Sequence, residues 1–166
     1  LVEDIEAHGG KATMWKTGHS LLKEKIRETG APIGGEMSGH MVLADDYYII
    51  DDAIYASCRI LQMLSRTDKT LSEMVATIPH YYATPEIRGE TSDDATKFAM
   101  VEKAVEFFKA NYDVIDVDGV RILFGDGWGL VRASNTQPVI VLRFEARTEE
   151  RLAEIRSEER RVGKVR

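Results

Sequence analysis

Two Asp-Gly dipeptides, Asp118-Gly119 and Asp126-Gly127, punctuate the stretch from residue 114 to residue 146. Asp-Gly is a strong short-range hairpin signal, because a tight turn between antiparallel strands needs residues that tolerate a positive φ. The runs on either side, 114–117, 120–124, 128–133 and 139–146, are short and mostly apolar. In the last of them Ile140, Leu142, Phe144 and Ala146 alternate with Val139, Val141, Arg143 and Glu145. That is the period of a strand with one face inward. Ahead of this block Tyr81 to Thr91 reads as extended chain interrupted by Pro85. Ser92-Asp93-Asp94 then caps a helix predicted to reach about Asn111, with Phe98, Val101, Val105 and Phe108 on one side. Behind the block, Thr148 caps a last helix over 149–155. Residues 69–155 are therefore expected to be a small α+β domain, an antiparallel sheet with helices on one face.

The N-terminal part reads differently. Residues 1–8 close a helix stopped by Gly9-Gly10, and 12–15 is a short strand candidate. Thr17 can cap a helix over 21–28 whose apolar stripe is Leu22 and Ile26, with Leu21 beside it, and Gly30 ends it. Ala31-Pro32-Ile33 and the run 41–44 are strand candidates. A strand-loop-helix-strand order is an α/β arrangement. Asp51-Asp52 opens a helix to about Leu64, with Ile54, Cys58, Leu61 and Met63-Leu64 as its expected buried face. The polar break at 65–69 is the expected domain boundary, giving an α/β partial domain over 1–66. The short helix at 70–78 is expected to turn Leu71, Met74 and Val75 inward. The charged, aperiodic tail 156–166 resembles the translation of a sequencing adapter, and is expected to be non-native or disordered.

Composition narrows the class. A net charge of −6 argues against a surface that coats nucleic acid. Cys58 stands alone, which excludes an internal disulfide and an all-cysteine metal site, and its helical context predicts a small buried hydrophobe. No apolar run approaches the roughly twenty residues that span a bilayer, and no signal peptide is evident, so a cytoplasmic protein without nucleic-acid or membrane partners is expected. His8, His19, His40 and His80 show no zinc spacing. Asp113-x-x-Asp116-x-Asp118-Gly119 lacks the ligand spacing of a calcium loop and reads as a turn. Asp45-Asp46 and Asp51-Asp52 read as solvated turn and helix-start acids.

Three loops carry chemistry. Gly34-Gly35-Glu36-Met37-Ser38-Gly39-His40 sets a carboxylate, a hydroxyl and an imidazole among glycines. Glu36 can accept from sugar hydroxyls, Ser38 can donate and accept, and His40 can move a proton near neutral pH. A polar glycine-rich hairpin without function is an equal reading of that stretch alone. Lys16-Thr17-Gly18-His19-Ser20 lies at a helix start, where Lys16 and His19 could meet an anion; taken alone, the stretch reads more readily as an N-cap with a solvent-facing His. Arg132-Ala133-Ser134-Asn135-Thr136-Gln137-Pro138 joins the last two strands. Arg132 offers a bidentate fork, and Ser134, Asn135 and Thr136 offer further donors suited to a phosphate. A turn whose side chains bond their own backbone is the competing reading.

Together, and in this order, the three loops resemble those of the α-D-phosphohexomutase family, most closely its bacterial phosphomannomutase/phosphoglucomutase group. The Met of Gly-Glu-Met-Ser and the Asn of Ser-Asn-Thr are similar to the enzymes that act on mannose and glucose. The likeness runs to about Glu154. It implies a C-terminal fragment of a four-domain protein: the end of the third domain over 1–66 and the fourth from about 69 onward. It implies sugar contacts at Glu36 and Ser38, substrate contacts at Lys16 and His19, and a place near the reacting oxygens for His40, as general acid/base or electrostatic helper. It implies that Arg132, Ser134, Asn135 and Thr136 hold a non-reacting phosphate. The family reaction moves phosphate between O1 and O6 of a hexose through a phosphoserine and a hexose 1,6-bisphosphate, assisted by Mg²⁺. The phosphoserine and the Mg²⁺ ligands belong to the first two domains, which are not in this chain, so the chain alone is expected to be inactive. A non-catalytic phosphosugar- or anion-binding module is the alternative.

Overall fold

The computed structural model describes residues 1–162, with side chains to residue 157. The chain divides into two units, Leu1–Pro79 and His80–Arg166. The division lies beyond the polar break at 65–69 that the sequence suggested. A polar break ends one helix, but it does not decide which unit the next element joins.

The first unit holds α1 (Val2–Ala7), α2 (His19–Thr29), β1 (Ile33–Gly35), β2 (Met41–Leu43), α3 (Ala53–Leu64) and α4 (Leu71–Val75). The stretch 12–15 forms no ladder, and among the described residues of this unit only β1 and β2 pair as named strands, antiparallel, with Gly34 opposite Val42. A strand exists through its neighbour, so apolar alternation alone could not secure one at 12–15. The cap of α2 also differs from expectation. Gly18, not Thr17, is its N-cap, and no side chain caps it. Gly30 closes the helix by donating to the Ile26 carbonyl at 2.9 Å. Ile26 and Val42 are the buried apolar residues that tie helix to hairpin.

The helix α3 is capped as expected: the Asp52 carboxylate accepts from the Ile54 and Tyr55 amides at 2.9 and 3.0 Å. Its apolar stripe is not buried. Ile54 is 79% exposed, Leu61 is 65% exposed, and Cys58 is exposed too, contrary to its expected burial. Only Ala56 of α3 is buried, and the helix rests on β2. Leu71 and Val75 of α4 are likewise exposed. Periodicity places apolar residues on one face of a helix, but it does not supply what covers that face.

The second unit is an antiparallel sheet of β3 (Tyr82–Ala83), β4 (Ile87–Glu90), β5 (Asp113–Ile115), β6 (Val120–Leu123), β7 (Gly127–Ala133) and β8 (Val139–Ala146), with α5 (Asp94–Asn111) and α6 (Glu149–Val162). Its strand order is β3-β8-β7-β6-β5, and β4 also pairs with β8. Register aligns Ile122 with Gly129 and Gly129 with Phe144, and Val120 with Val131 and Val131 with Leu142. One face is thereby apolar from β6 to β8. The Val101, Ala104 and Phe108 side chains of α5 pack on its β6–β7 end, and Ile155 of α6 packs on Phe144 and Ala146. The helices thus cover one face, as the sequence predicted.

The buried stripe of α5 keeps Val101 and Phe108 of the expected row, with Val105 packed beside them, but its first position is Lys97 and not Phe98. Phe98 is 54% exposed, while Lys97 is 2% exposed. Residues 97, 101, 104 and 108 form the inward row, and Phe98 lies at its margin. The cap of α6 is Thr148, whose hydroxyl accepts the Arg151 amide at 3.1 Å. The helix continues past Ile155 to Val162, through part of the tail expected to be disordered; residues 163–166 lie outside the described residues.

Candidate substrate-binding loops

In the first unit the turn between β1 and β2 closes by backbone bonds: the Glu36 amide donates to the His40 carbonyl at 2.9 Å, and the Gly39 amide to the Glu36 carbonyl at 3.0 Å. This geometry brings Glu36, Ser38 and His40 onto one short hairpin. The Glu36 carboxylate is already engaged. Its Oε1 accepts the Gly18 amide at 2.6 Å, and its Oε2 accepts the Ser38 hydroxyl at 3.2 Å. The loop that leads into α2 is therefore pinned to the hairpin by a charge-assisted bond. Lys16 and His19 flank Gly18 in sequence, and both are exposed.

His40 has a partner that sequence reasoning missed. Its Nδ1 lies 2.5 Å from Asp51 Oδ2, and the other oxygen of Asp51 accepts the Met41 amide at 3.1 Å. The His40 hydrogen bond, followed by the Met41 amide, holds the Asp51 carboxyl below the usual carboxylate range. A carboxylate facing Nδ1 selects the tautomer with its proton there, which makes Nε2 the basic atom of the neutral ring. From the sequence alone Asp51 reads as a solvated helix-start acid. Eleven residues separate it from His40, and only the chain reversal that pairs Val42 with Asp51 brings them together. Asp45 is committed as well, to a two-point ion pair with Arg59 at 2.9 and 2.8 Å.

In the second unit the 134–138 loop continues the β7–β8 hairpin, closed where the Ser134 amide donates to the Val139 carbonyl at 3.0 Å. Arg132 lies opposite Val141, with Arg88 on the other side of Val141. Ser134 is buried, and its Oγ accepts the Thr136 and Gln137 amides, each at 3.3 Å. The self-bonded turn that competed with the phosphate reading is thus part of the structure. It orders the loop and leaves the Asn135 and Thr136 side chains on the outside, both exposed. Arg88 reaches the same loop, donating to the Gln137 side-chain oxygen at 3.0 Å. A shallow cleft lined by Arg88, Glu90, Thr91, Gln137, Pro138 and Val139 lies beside it.

From beneath, Lys97 Nζ donates to the Ser134 and Gln137 carbonyls at 2.8 and 2.9 Å and to Asp94 Oδ1 at 2.7 Å. Sequence reasoning passed over this lysine. The available signal was its place in phase with Val101, Ala104 and Phe108, where a charge needs an internal partner.

A family model described as phosphoglucomutase/phosphomannomutase, alpha/beta/alpha domain III, matches residues 1–82, and one described as the C-terminal domain of the same group matches residues 86–162. The chain belongs to the phosphoglucomutase/phosphomannomutase family. It is 45% identical over 155 residues to a phosphomannomutase/phosphoglucomutase of Pseudomonas putida, covering 92% of this chain and 33% of the relative. It is 44% identical over 160 residues to the phosphomannomutase/phosphoglucomutase of Pseudomonas aeruginosa, covering 95% of this chain and 34% of the relative. A solved phosphoglucomutase/phosphomannomutase family protein of Burkholderia thailandensis superposes with a TM-score of 0.87 at 40% identity, covering 98% of this chain and 34% of that one. The chain thus spans about a third of the length of the curated relatives it matches. No helix among the described residues is long and apolar enough to cross a membrane.

Among the described residues no three His, Cys, Asp or Glu side chains are grouped to hold a metal ion. Asp45, Asp51 and Asp52 are each spent on an ion pair, a histidine or a helix cap.

Proposed function

We propose that this chain supplies sugar-hydroxyl and phosphate contacts to a mutase that interconverts hexose 1-phosphate and hexose 6-phosphate, with mannose or glucose as the sugar. The observation that carries the proposal is the ordered loop after β7. Arg132 stands at its entrance, its interior is tied down by Lys97 and the Ser134 hydroxyl, and Asn135 and Thr136 remain exposed. A guanidinium fork with neutral donors on a fixed turn matches the oxygens of a phosphate monoester. Asn135 and Thr136 contact the phosphate, whereas Ser134 shapes the turn.

On the first unit, the Glu36 and Ser38 pair reads sugar hydroxyls. The Gly18 bond holds the carboxylate still, so little rotamer freedom is lost when a hydroxyl arrives. Lys16 and His19 face the substrate's negative charge. His40, oriented by Asp51, takes or returns a proton at Nε2. A mutase that accepts a sugar in two orientations benefits from holding the distal phosphate firmly while reading hydroxyls common to both poses. The phosphoserine, the hexose 1,6-bisphosphate intermediate and Mg²⁺ of such a reaction fall to the missing N-terminal domains of a longer protein. A cytoplasmic location fits a charged sugar ester, which does not cross a bilayer unaided.

The test is a titration of the chain with glucose 1-phosphate. Arg132→Ala is expected to weaken binding by about tenfold to a hundredfold, the loss of hydrogen bonds to a charged group. Affinity equal to the parent's refutes the phosphate-loop reading. In a coupled mutase assay the chain alone is expected to show no turnover, and measurable turnover refutes the division of labour.

A further inference from the structure

The ammonium of Lys97 touches no substrate in the reading above, yet among the described residues it is a deeply enclosed charge at 2% exposure. An ammonium has three hydrogens, and here each has an acceptor: Asp94 Oδ1, the Ser134 carbonyl and the Gln137 carbonyl. It therefore has no donor left for a ligand. What it does is fix two peptide groups, three residues apart, at the two ends of the exposed turn.

The consequence follows from the planar trans peptide. Its carbonyl and the next N–H point in opposite directions. With the Ser134 carbonyl drawn down to Lys97, the Asn135 N–H is aimed away from the ammonium, toward the outer side of the loop. The same pull holds Ser134 where its Oγ receives the Thr136 and Gln137 amides. Asp94, in the first turn of α5, shares the charge, so α5, the lysine and the loop form one connected network. We propose that Lys97 is the positioning residue of the phosphate loop: by holding the Ser134 and Gln137 carbonyls it sets the outward groups of Asn135 and Thr136 for a phosphate monoester. This rests on the reading of 132–136 as the phosphate-holding segment.

Inorganic phosphate titrated into the ¹⁵N-labelled chain reads the loop through the Asn135 and Thr136 amide signals. Lys97→Met, which keeps the length of the side chain and loses its donors, is expected to weaken phosphate binding at least about tenfold, the scale of one loop hydrogen bond to a charged group lost when the turn is no longer held. Val101→Ala lies one turn further on the same helix row and packs on the sheet, so it serves as the control. It is expected to lower Tm while leaving phosphate affinity as in the parent. Unchanged affinity in Lys97→Met, or equal weakening in both variants, overturns the proposal, because a merely structural lysine would act through stability alone. Should Lys97→Met fail to fold, the side-chain ammonium signal of Lys97 in the unaltered chain decides. A shift on adding phosphate supports the proposal, and an unmoved signal overturns it. Arg132→Ala separates the two levels: if it too binds phosphate like the parent, the loop reading itself fails. If Arg132→Ala weakens binding and Lys97→Met does not, only the assignment of Lys97 falls.

Discussion

Two glycines on either side of β6 offer a measurement of how tightly the hairpin leading to Arg132 is built. Gly119 and Gly125 both sit in turns at positive φ, +72° and +79°. Alanine at either position carries the cost of left-handed backbone, about 1 kcal/mol. The surroundings differ. Around Gly125 an added Cβ meets nothing within 4 Å. At Gly119 it would collide with the Val131 carbonyl oxygen and stand 2.7 Å from Arg132 Cα, both of them strand backbone. Overpacking of this kind costs about 1–3 kcal/mol, since backbone cannot swing aside as a side-chain tip can. Gly125→Ala is thus expected to lose about 1 kcal/mol and Gly119→Ala about 2–4 kcal/mol. The assay is urea unfolding read by Trp128 in β7, with Trp15 of the first unit replaced by Phe so that one unit reports. With a slope of about 1–3 kcal/mol per M, a difference of 2 kcal/mol separates the two midpoints by roughly 1 M. Coincident midpoints would falsify the contact, and with it the register that sets Gly119 against Arg132. Gly119→Ala is also expected to weaken phosphate binding, because the colliding backbone belongs to Arg132 itself.

Two further outcomes are expected. Glu36→Gln keeps an acceptor for Gly18 but loses the charge that binds both it and Ser38; hexose phosphate affinity should fall severalfold with little change in Tm, and equal affinity would remove Glu36 from the hydroxyl-reading role. Asp51 and Asp52 of the first unit, and Asp93 of the second, are held below the ordinary carboxylate range, Asp51 mainly by His40 and the other two mainly by helix-cap amides. A folded-state value below the unfolded one gives stability that is complete above the unfolded value, near pH 4, and is lost as pH falls through the lower folded value. Read by Trp15 with Trp128 replaced by Phe, the urea midpoint of the first unit should therefore be flat above about pH 5 and drop below pH 4, less steeply in Asp51→Asn; a midpoint insensitive to acid would contradict the assigned bonds.

The parts of the fold that were legible share a physical origin. Asp118-Gly119, Asp52, Asp93 and Thr148 act through their own backbone or the next turn, so their effect is written in adjacent residues. The same holds for the alternation along β8, which placed Ile140, Phe144 and Ala146 on the covered face. The apolar row of α3 was equally legible as a row, but its burial was not. Ile54 and Leu61 lie exposed because burial requires a second surface, and a helix's own sequence contains no information about one. The place taken by Lys97 instead of Phe98 in the inward row of α5 has the same cause. Phe98 and Lys97 are neighbours at the edge of the row, and the loop carbonyls above the helix decided which turned inward.

By itself, then, the sequence determined the antiparallel α+β unit, the three polar loops and the chemistry of their side chains, since each rests on interactions within a few residues. Only tertiary structure decided how those groups are held: Gly18 on Glu36, Asp51 on His40, and Lys97 under Ser134 and Gln137. Those pairs lie far apart along the chain, and a hydrogen bond depends on distance and angle in space, which residue order does not encode locally.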